Sequence, residues 1–315
     1  MKVLVTCPPM LRQIEVFRPL FEAKGAEVFC PQVTQTLSVE ALCELVPQYD
    51  GWIIGDDPAT YRVFEAGTKG RLKAAVKWGI GVDNIDFKAA ETLGLPIVNT
   101  PNMFGREVAD LAVSYVTALA RETFLIDRGV RGGNWPKPAG ISLAEKAVAL
   151  VGFGDIGRNT AKRLLAADMR VIAYDPSFKP VLGLEAVERA RWPERLEEAD
   201  FIVFTCALTP ENRHMLDAET LQRAKPGVRV VNVARGPLID EDALTHALET
   251  GRVHSVALDV FEHEPLPMHS QLRAHERSIF GSHNASNTFD AVVRTSERAI
   301  GELFRMLAER EGVRA

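Results

Sequence analysis

Cysteine is scarce in this chain. Only Cys7, Cys30, Cys43 and Cys206 occur in 315 residues, and no two fall at Cys-x-x-Cys spacing. That excludes a disulfide-stapled scaffold, a zinc ribbon and a dithiol redox centre; the four are expected as small buried side chains in a reducing, cytoplasmic setting. Long apolar runs are missing as well. No window approaches the ~20 apolar residues of a membrane span, and the run Val3-Leu4-Val5 stops at Thr6-Cys7-Pro8-Pro9, too short for a secretory signal. Nor is there an excess of positive charge: 37 Lys and Arg stand against 42 Asp and Glu, a net charge of -5. Binding to nucleic acid or an anionic membrane needs a basic face, so neither partner is expected. Glycine and proline are scattered rather than clustered, and 46% of the chain is hydrophobic. What remains is a globular protein of about two domains whose partner is a small molecule.

Short β-rich runs alternate with helical stretches from end to end, the pattern of parallel sheets with crossover helices. Strands are expected at 3–6, 27–30, 52–55, 75–78 and 97–99, with helices at 11–23, 39–45 and 59–66 between them. This reads as a small doubly wound domain. Residues 104–121 are apolar on nearly every face, which predicts a helix buried all round, as an interdomain strut or a subunit interface. A loop rich in Gly, Pro and Trp follows at 131–138. The alternation then restarts with strands at 147–151, 170–174, 201–205, 229–233, 255–258 and 279–281, and a last helix is expected over 287–308.

Directly after the apolar run 147–151 comes Gly152-Phe153-Gly154-Asp155-Ile156-Gly157, and then a helix-compatible stretch from Arg158. Gly-x-Gly-x-x-Gly between strand and helix is the dinucleotide fingerprint: Gly152 permits the tight turn, Gly154 lets backbone approach a pyrophosphate, and Gly157 lets helix and strand pack. The helix N-terminus then stabilises the anion. The next strand ends in Asp175, about 20 residues beyond the first glycine, where an acid accepts hydrogen bonds from ribose hydroxyls and repels a 2′-phosphate. NAD is therefore the expected cofactor.

Three later strands end in chemistry. One runs into Ala234-Arg235-Gly236, the next into Asp259 and on to Glu264-Pro265, and the last into Ser282-His283-Asn284. A cation, a carboxylate and an imidazole thus emerge at the carboxyl edge of one sheet, where ligands bind in such folds. Any one of them alone would read as a surface or structural residue. His263 and His269 flank acids but lack the ligand spacing of a zinc site, so no metal is assigned.

With Gly79-Ile80-Gly81-Val82-Asp83-Asn84-Ile85-Asp86, Val98-Asn99-Thr100-Pro101 and Asn232-Val233-Ala234-Arg235-Gly236 added in order, the chain resembles the D-isomer-specific 2-hydroxyacid dehydrogenase family, including its phosphoglycerate dehydrogenase branch. The resemblance implies an α/β architecture in which a Rossmann NAD domain, 101–286, is inserted in a flavodoxin-like substrate domain, 1–100 with 287–315. It implies hydride transfer between NAD and C2 of a D-2-hydroxy or 2-keto acid, 3-phosphoglycerate being one such acid, and a homodimer. Within the same fold lie dehydrogenases of small anions such as phosphite or formate, and a non-enzymatic NAD-sensing corepressor.

Roles follow by matching positions. Arg235 is expected to hold the substrate carboxylate and polarise its carbonyl, His283 to act as general acid–base, and Glu264 to orient the imidazole. Asp259 is expected at the nicotinamide carboxamide, with Gly152, Gly154, Asp155, Ile156, Gly157, Asp175, Cys206 and Ala234 also against the cofactor. Lys77 and the backbone of Ile80 and Gly81 are expected at the substrate. The chain departs from the family with Ser282 before the histidine, Glu145 for a frequent glycine, and Gly55-Asp56-Asp57 where phosphoglycerate dehydrogenases place an arginine. Two acids there would repel a phosphate.

Overall fold

The computed structural model describes residues 1–310 and 312. Its contacts divide the chain into two compact units, Met1–Met103 with the stretch from Asn287 onward, and Phe104–Ser286.

The first unit contains, in order, β1 (Lys2–Val5), α1 (Pro8–Leu11), α2 (Ile14–Glu22), β2 (Glu27–Phe29), α3 (Val39–Leu45), β3 (Gly51–Ile54), α4 (Tyr61–Lys69), β4 (Ala74–Lys77), α5 (Phe87–Thr92) and β5 (Ile97–Asn99). The five strands are all parallel, in the order β2-β1-β3-β4-β5. Strands β3 and β4 are buried along their whole length, which explains the apolar run of β3 and of β4 up to its last residue, Lys77. The order reverses between β1 and β3, and in open parallel sheets the ligand crevice lies outside the carboxyl ends at such a switch point. The single helix expected over 11–23 is two helices, because the chain turns at Arg12 and Gln13. Ser38 and Asp86 cap α3 and α5, each accepting from the backbone N–H three residues on.

The second unit contains α6 (Gly105–Arg121), α7 (Thr123–Arg131), β6 (Ala147–Val151), α8 (Asp155–Ala166), β7 (Arg170–Tyr174), β8 (Glu188–Arg189), β9 (Phe201–Phe204), α9 (Ala218–Arg223), β10 (Val228–Asn232), α10 (Glu241–Glu249), β11 (Val253–Leu258) and β12 (Ile279–Phe280). Its seven-stranded parallel sheet has the order β12-β11-β10-β9-β6-β7-β8, with the reversal between β6 and β9. Strands β6, β9 and β10 are fully buried. The last helix, α11 (Phe289–Arg310), belongs to the first unit and packs on β3 and β4. There a Cβ on Gly51 would stand 3.0 Å from Leu303, so the helix lies close on the sheet.

Two expectations change. Helix α6 is not apolar all round: Arg106, Asp110, Ser114, Thr117 and Arg121 form an exposed polar stripe at helical spacing, and the opposite face packs on α8, β10 and β11 of its own unit. It needs no partner subunit to bury it. The stretch after it also holds an unforeseen helix, α7, set off by Glu122 in the left-handed region at φ 53°.

Candidate active site and dinucleotide cradle

The turn after β6 is shaped by close approaches that only glycine allows. At Gly152, φ is 96° and a Cβ would come within 2.7 Å of the Cys206 backbone; a Cβ on Gly157 would strike the Gly152 carbonyl. The Thr205 hydroxyl ties the turn down, donating to the carbonyls of Val151 and Gly152 at 3.1 and 3.0 Å. Gly154 differs, with open space for 4 Å around its Cβ position. It is the N-cap of α8, which starts at Asp155 rather than at Arg158, so Asp155, Ile156 and Gly157 contribute first-turn N–H groups facing that space. The Asp155 carboxylate is directed elsewhere, against Gly105 of α6 and the Asn159 amide.

At the end of β7, Asp175 accepts from the N–H of Phe153 and of Ser177, both at 2.7 Å, which locks the carboxylate beside the glycine turn. It lines a cavity of about 430 Å³ together with Gly152, Arg189, Trp192, Cys206 and Asn212. Burial pushes the Cys206 thiol up to about 12, so it is a neutral wall of this cavity and not a nucleophile. A ladder of stacked groups frames the acid: the Phe153 and Phe178 rings lie 4.8 Å apart, with Arg158 over the first and Arg189 over the second, each 5.9 Å from the ring centroid.

The loops after β10, β11 and β12 come together at the same edge of the sheet. Asn232 shapes the first: its amide donates to the Arg235 carbonyl at 2.8 Å and its side-chain oxygen accepts from Ala234 N–H at 3.0 Å. Arg235 is half-buried, and Gly236 behind it abuts the backbone of Phe261 and Glu262 so closely that a side chain would not fit. Glu264 accepts from Phe261 N–H at 3.0 Å with one oxygen and from His283 Nδ1 at 2.7 Å with the other. Nδ1 is therefore committed to the carboxylate, and proton exchange with a substrate falls to Nε2.

Asp259 joins these loops. Its carbonyl accepts from His283 N–H at 2.7 Å and its carboxylate from Ala285 N–H at 2.8 Å, holding His283 in the left-handed region at φ 54°. The Asp259 side chain is buried, and desolvation raises its pKa against the lowering effect of two backbone N–H bonds and the His283 charge. Among the described residues its second oxygen has no hydrogen-bond partner. A buried carboxylate oxygen without a donor fits the amide N–H₂ of a nicotinamide carboxamide. The open cradle at Gly154, the locked Asp175 and this oxygen together fit a dinucleotide. Beyond the carboxamide contact expected of Asp259, the structure makes Asn232 and Asp259 the residues that position Arg235 and His283, a role the strand-end motifs do not reveal.

In the first unit, Gly79, Ile80 and Gly81 form the turn after β4, with Gly79 at φ 117°. Gly79 N–H donates to the Thr100 hydroxyl at 2.8 Å and the Asn99 amide to the Ile80 carbonyl at 3.2 Å, which is what the Asn-Thr-Pro motif is for. Asn84 reaches back to the carbonyls of Gly55 and Asp57. Lys77 is buried; its ammonium donates to Asp56 at 3.0 Å and to the Trp78 carbonyl at 3.1 Å. Trp78 is core, bonded to Ser296 of α11 at 3.1 Å. Asp57 does not face a ligand either: it is fully buried, accepting from the Thr6 hydroxyl and from Leu37 N–H. Among the described residues no group of three His, Cys, Asp or Glu side chains is placed to hold a metal, and no helix is long and apolar enough to cross a membrane.

Residues 113–285 match the family described as D-isomer specific 2-hydroxyacid dehydrogenase, NAD binding domain. The chain is 34% identical to a hydroxypyruvate reductase of Thermotoga maritima over 279 residues, 87% of this chain and 90% of that one. It is 36% identical over 260 residues to the chloroplastic D-3-phosphoglycerate dehydrogenase 2 of Arabidopsis thaliana, covering 81% of this chain but only 41% of the longer plant protein. Among solved structures, an NAD-dependent formate dehydrogenase of Staphylococcus aureus in complex with NAD superposes with a TM-score of 0.86 at 25% identity, covering 98% of this chain and 96% of that one.

Proposed function

The chain belongs to the D-isomer specific 2-hydroxyacid dehydrogenase family, and on that premise we propose that it is an NAD-dependent oxidoreductase interconverting a small 2-oxo acid and its D-2-hydroxy acid. The observation that carries this reading is the Glu264–His283 pair, with one carboxylate oxygen on Nδ1 and the other held by Phe261 N–H, at the sheet edge that also presents Arg235. The bound nicotinamide supplies or takes the hydride at C2. The chain's residues do the rest. Arg235 pairs with the substrate carboxylate and draws electron density toward the carbonyl oxygen, since its planar guanidinium offers parallel donors. His283 hands a proton from Nε2 to that oxygen as the hydride arrives, and takes it back in the oxidative direction. Glu264 holds the ring and stabilises its protonated form. Asp259 orients the carboxamide, Asp175 the ribose, and the α8 N-terminus receives the pyrophosphate.

The backbone of Ile80 and Gly81, in a turn anchored by Asn99 and Thr100, is proposed to bind the substrate's anionic end. The proposal covers unphosphorylated acids and 3-phosphoglycerate alike. A panel of glyoxylate, pyruvate, hydroxypyruvate and 3-phosphohydroxypyruvate with NADH, followed by loss of the nicotinamide absorbance, should show turnover of at least one. Formate and phosphite with NAD complete the panel. Tight NADH binding with no turnover of any of them would leave a binding protein rather than an enzyme.

A homodimer is proposed through α7 and the loop after it. Helix α7 has no buried residue, and Phe124, Val130 and Trp135 are exposed, the last at 76%. Three large apolar groups exposed within twelve residues are the reason for placing an interaction surface here. Sedimentation should give a dimer at micromolar protein; a monomer there would remove the proposal.

A further inference from the structure

Resting on the proposed activity, we infer that the Asp56–Lys77 pair makes this protein selective for 2-oxo acids with no second anionic group, so that phosphorylated acids are poor substrates. Lys77 is the cation that sequence places next to the Gly79–Ile80–Gly81 turn, and a Cβ on Gly79 would lie 3.7 Å from its ammonium. A lysine that is to receive a phosphate must present its charge to the ligand. This one is 3% exposed and bonded to the Asp56 carboxylate and the Trp78 carbonyl. The outward member of the pair is the acid: Asp56 is 38% exposed, and the Gln35 amide also donates to it, at 3.3 Å. A ligand approaching the carboxyl ends of β3 and β4 therefore meets a carboxylate in front of a compensated ammonium.

For a monocarboxylate whose single charge is taken up elsewhere, a neutral pair costs little. For a substrate carrying a phosphate dianion on C3, Lys77 offers no charge that Asp56 does not already balance and the outward Asp56 carboxylate is the nearer member of the pair, a loss of roughly ten- to a hundredfold in affinity against a site that would present the ammonium. The buried acid beside it does not change this balance, because Asp57 is turned inward onto Thr6 and Leu37.

The test compares hydroxypyruvate with its 3-phosphate ester on the NADH-loaded protein. We expect kcat/KM to favour the unphosphorylated acid by about tenfold or more. Preference for the ester in the wild-type protein would overturn the inference. The same discrimination is read without turnover by calorimetric titration of the NADH-saturated protein with D-glycerate and with 3-phospho-D-glycerate, so a failure of catalysis does not hide it. Equal or tighter binding of the phosphorylated acid overturns the inference even if the protein turns over neither. Asp56→Asn should narrow the preference, and the double variant Asp56→Asn/Lys77→Met, which leaves no buried ammonium unpaired, should narrow it likewise. An unchanged ratio in a folded double variant would place the selectivity elsewhere.

Discussion

At the carboxyl end of the first sheet Asp57 is fully buried, and both of its oxygens accept hydrogen bonds, from Thr6 and from Leu37. At the carboxyl end of the second sheet Asp259 is almost as buried, 1% exposed, yet one oxygen accepts from Ala285 and the other has no partner among the described residues. Desolvation raises the pKa of both. Burial and a shifted pKa therefore do not separate a structural acid from a functional one. What differs is the open acceptor beside His283: a buried oxygen without a donor costs free energy that a ligand or a water can recover, and at Asp259 it lies where a nicotinamide carboxamide is expected. The two cations differ as well: Lys77 donates to a carboxylate, that of Asp56, whereas Arg235 is positioned by the Asn232 amide on its backbone carbonyl and donates from its guanidinium to the Ala234 carbonyl.

The sharpest way to break this comparison is at the proton donor. His283→Gln keeps a side chain of similar reach but no titratable nitrogen, and should lower kcat by about 10²–10⁴ while the NADH dissociation constant stays within a factor of a few. If kcat and NADH affinity fell together, the 281–285 turn would have collapsed, and the residue would be structural in the same sense as Asp57.

A matched pair of substitutions comes next. Asp259→Asn should weaken NADH binding by about tenfold, since the amide has to serve both Ala285 N–H and the carboxamide with one oxygen. Asp57→Asn should leave binding and turnover alone and act on stability. A carboxyl whose folded pKa is raised holds its proton more firmly in the folded than in the unfolded chain. It therefore contributes stability that is fully present below the unfolded pKa and lost as pH rises through the folded one. Thermal melts from acidic to neutral pH should accordingly show a shallower decline with rising pH in Asp57→Asn than in the wild-type protein. An unaltered slope would mean that Asp57 is ionised in the fold at no cost.

Much of this contrast was invisible in the linear sequence, for a physical reason. Strands such as 147–151 and 201–204 are legible because a parallel strand buried on both faces must be an unbroken apolar run. The glycine turn is legible because only glycine fits beside Cys206 and under its own carbonyl. Helix α7 escaped because no residue in it is buried, so it carries no core-facing stripe to read. What a charged residue does depends on partners far along the chain: Asp56 and Lys77 are 21 residues apart, and Asp57 meets Thr6 across 51. The sequence shows two acids in tandem; only the fold shows one facing inward and the other compensated.

Backbone strain provides the finest test of the same idea. His283 and Glu145 both sit in the left-handed region, at φ 54° and 66°. For His283 the conformation is enforced by Asp259 from two sides and aims an imidazole at Glu264. Glu145 is exposed, precedes β6, and its backbone N–H donates to the Asp168 carbonyl at 2.9 Å, a bond that any residue could make. A residue with a Cβ pays about 1–2 kcal/mol to adopt this conformation, and glycine returns part of that through its greater freedom when unfolded. Glu145→Gly should therefore stabilise the second unit by about 0.5–1 kcal/mol and leave kcat/KM unchanged, measured by denaturant unfolding and steady-state rates on the same preparation. His283→Gly would relieve the same strain and remove the proton donor. Should Glu145→Gly give no gain, contacts of the Glu145 side chain must offset its strain, and the conformation at 145 would be held in place as that of His283 is.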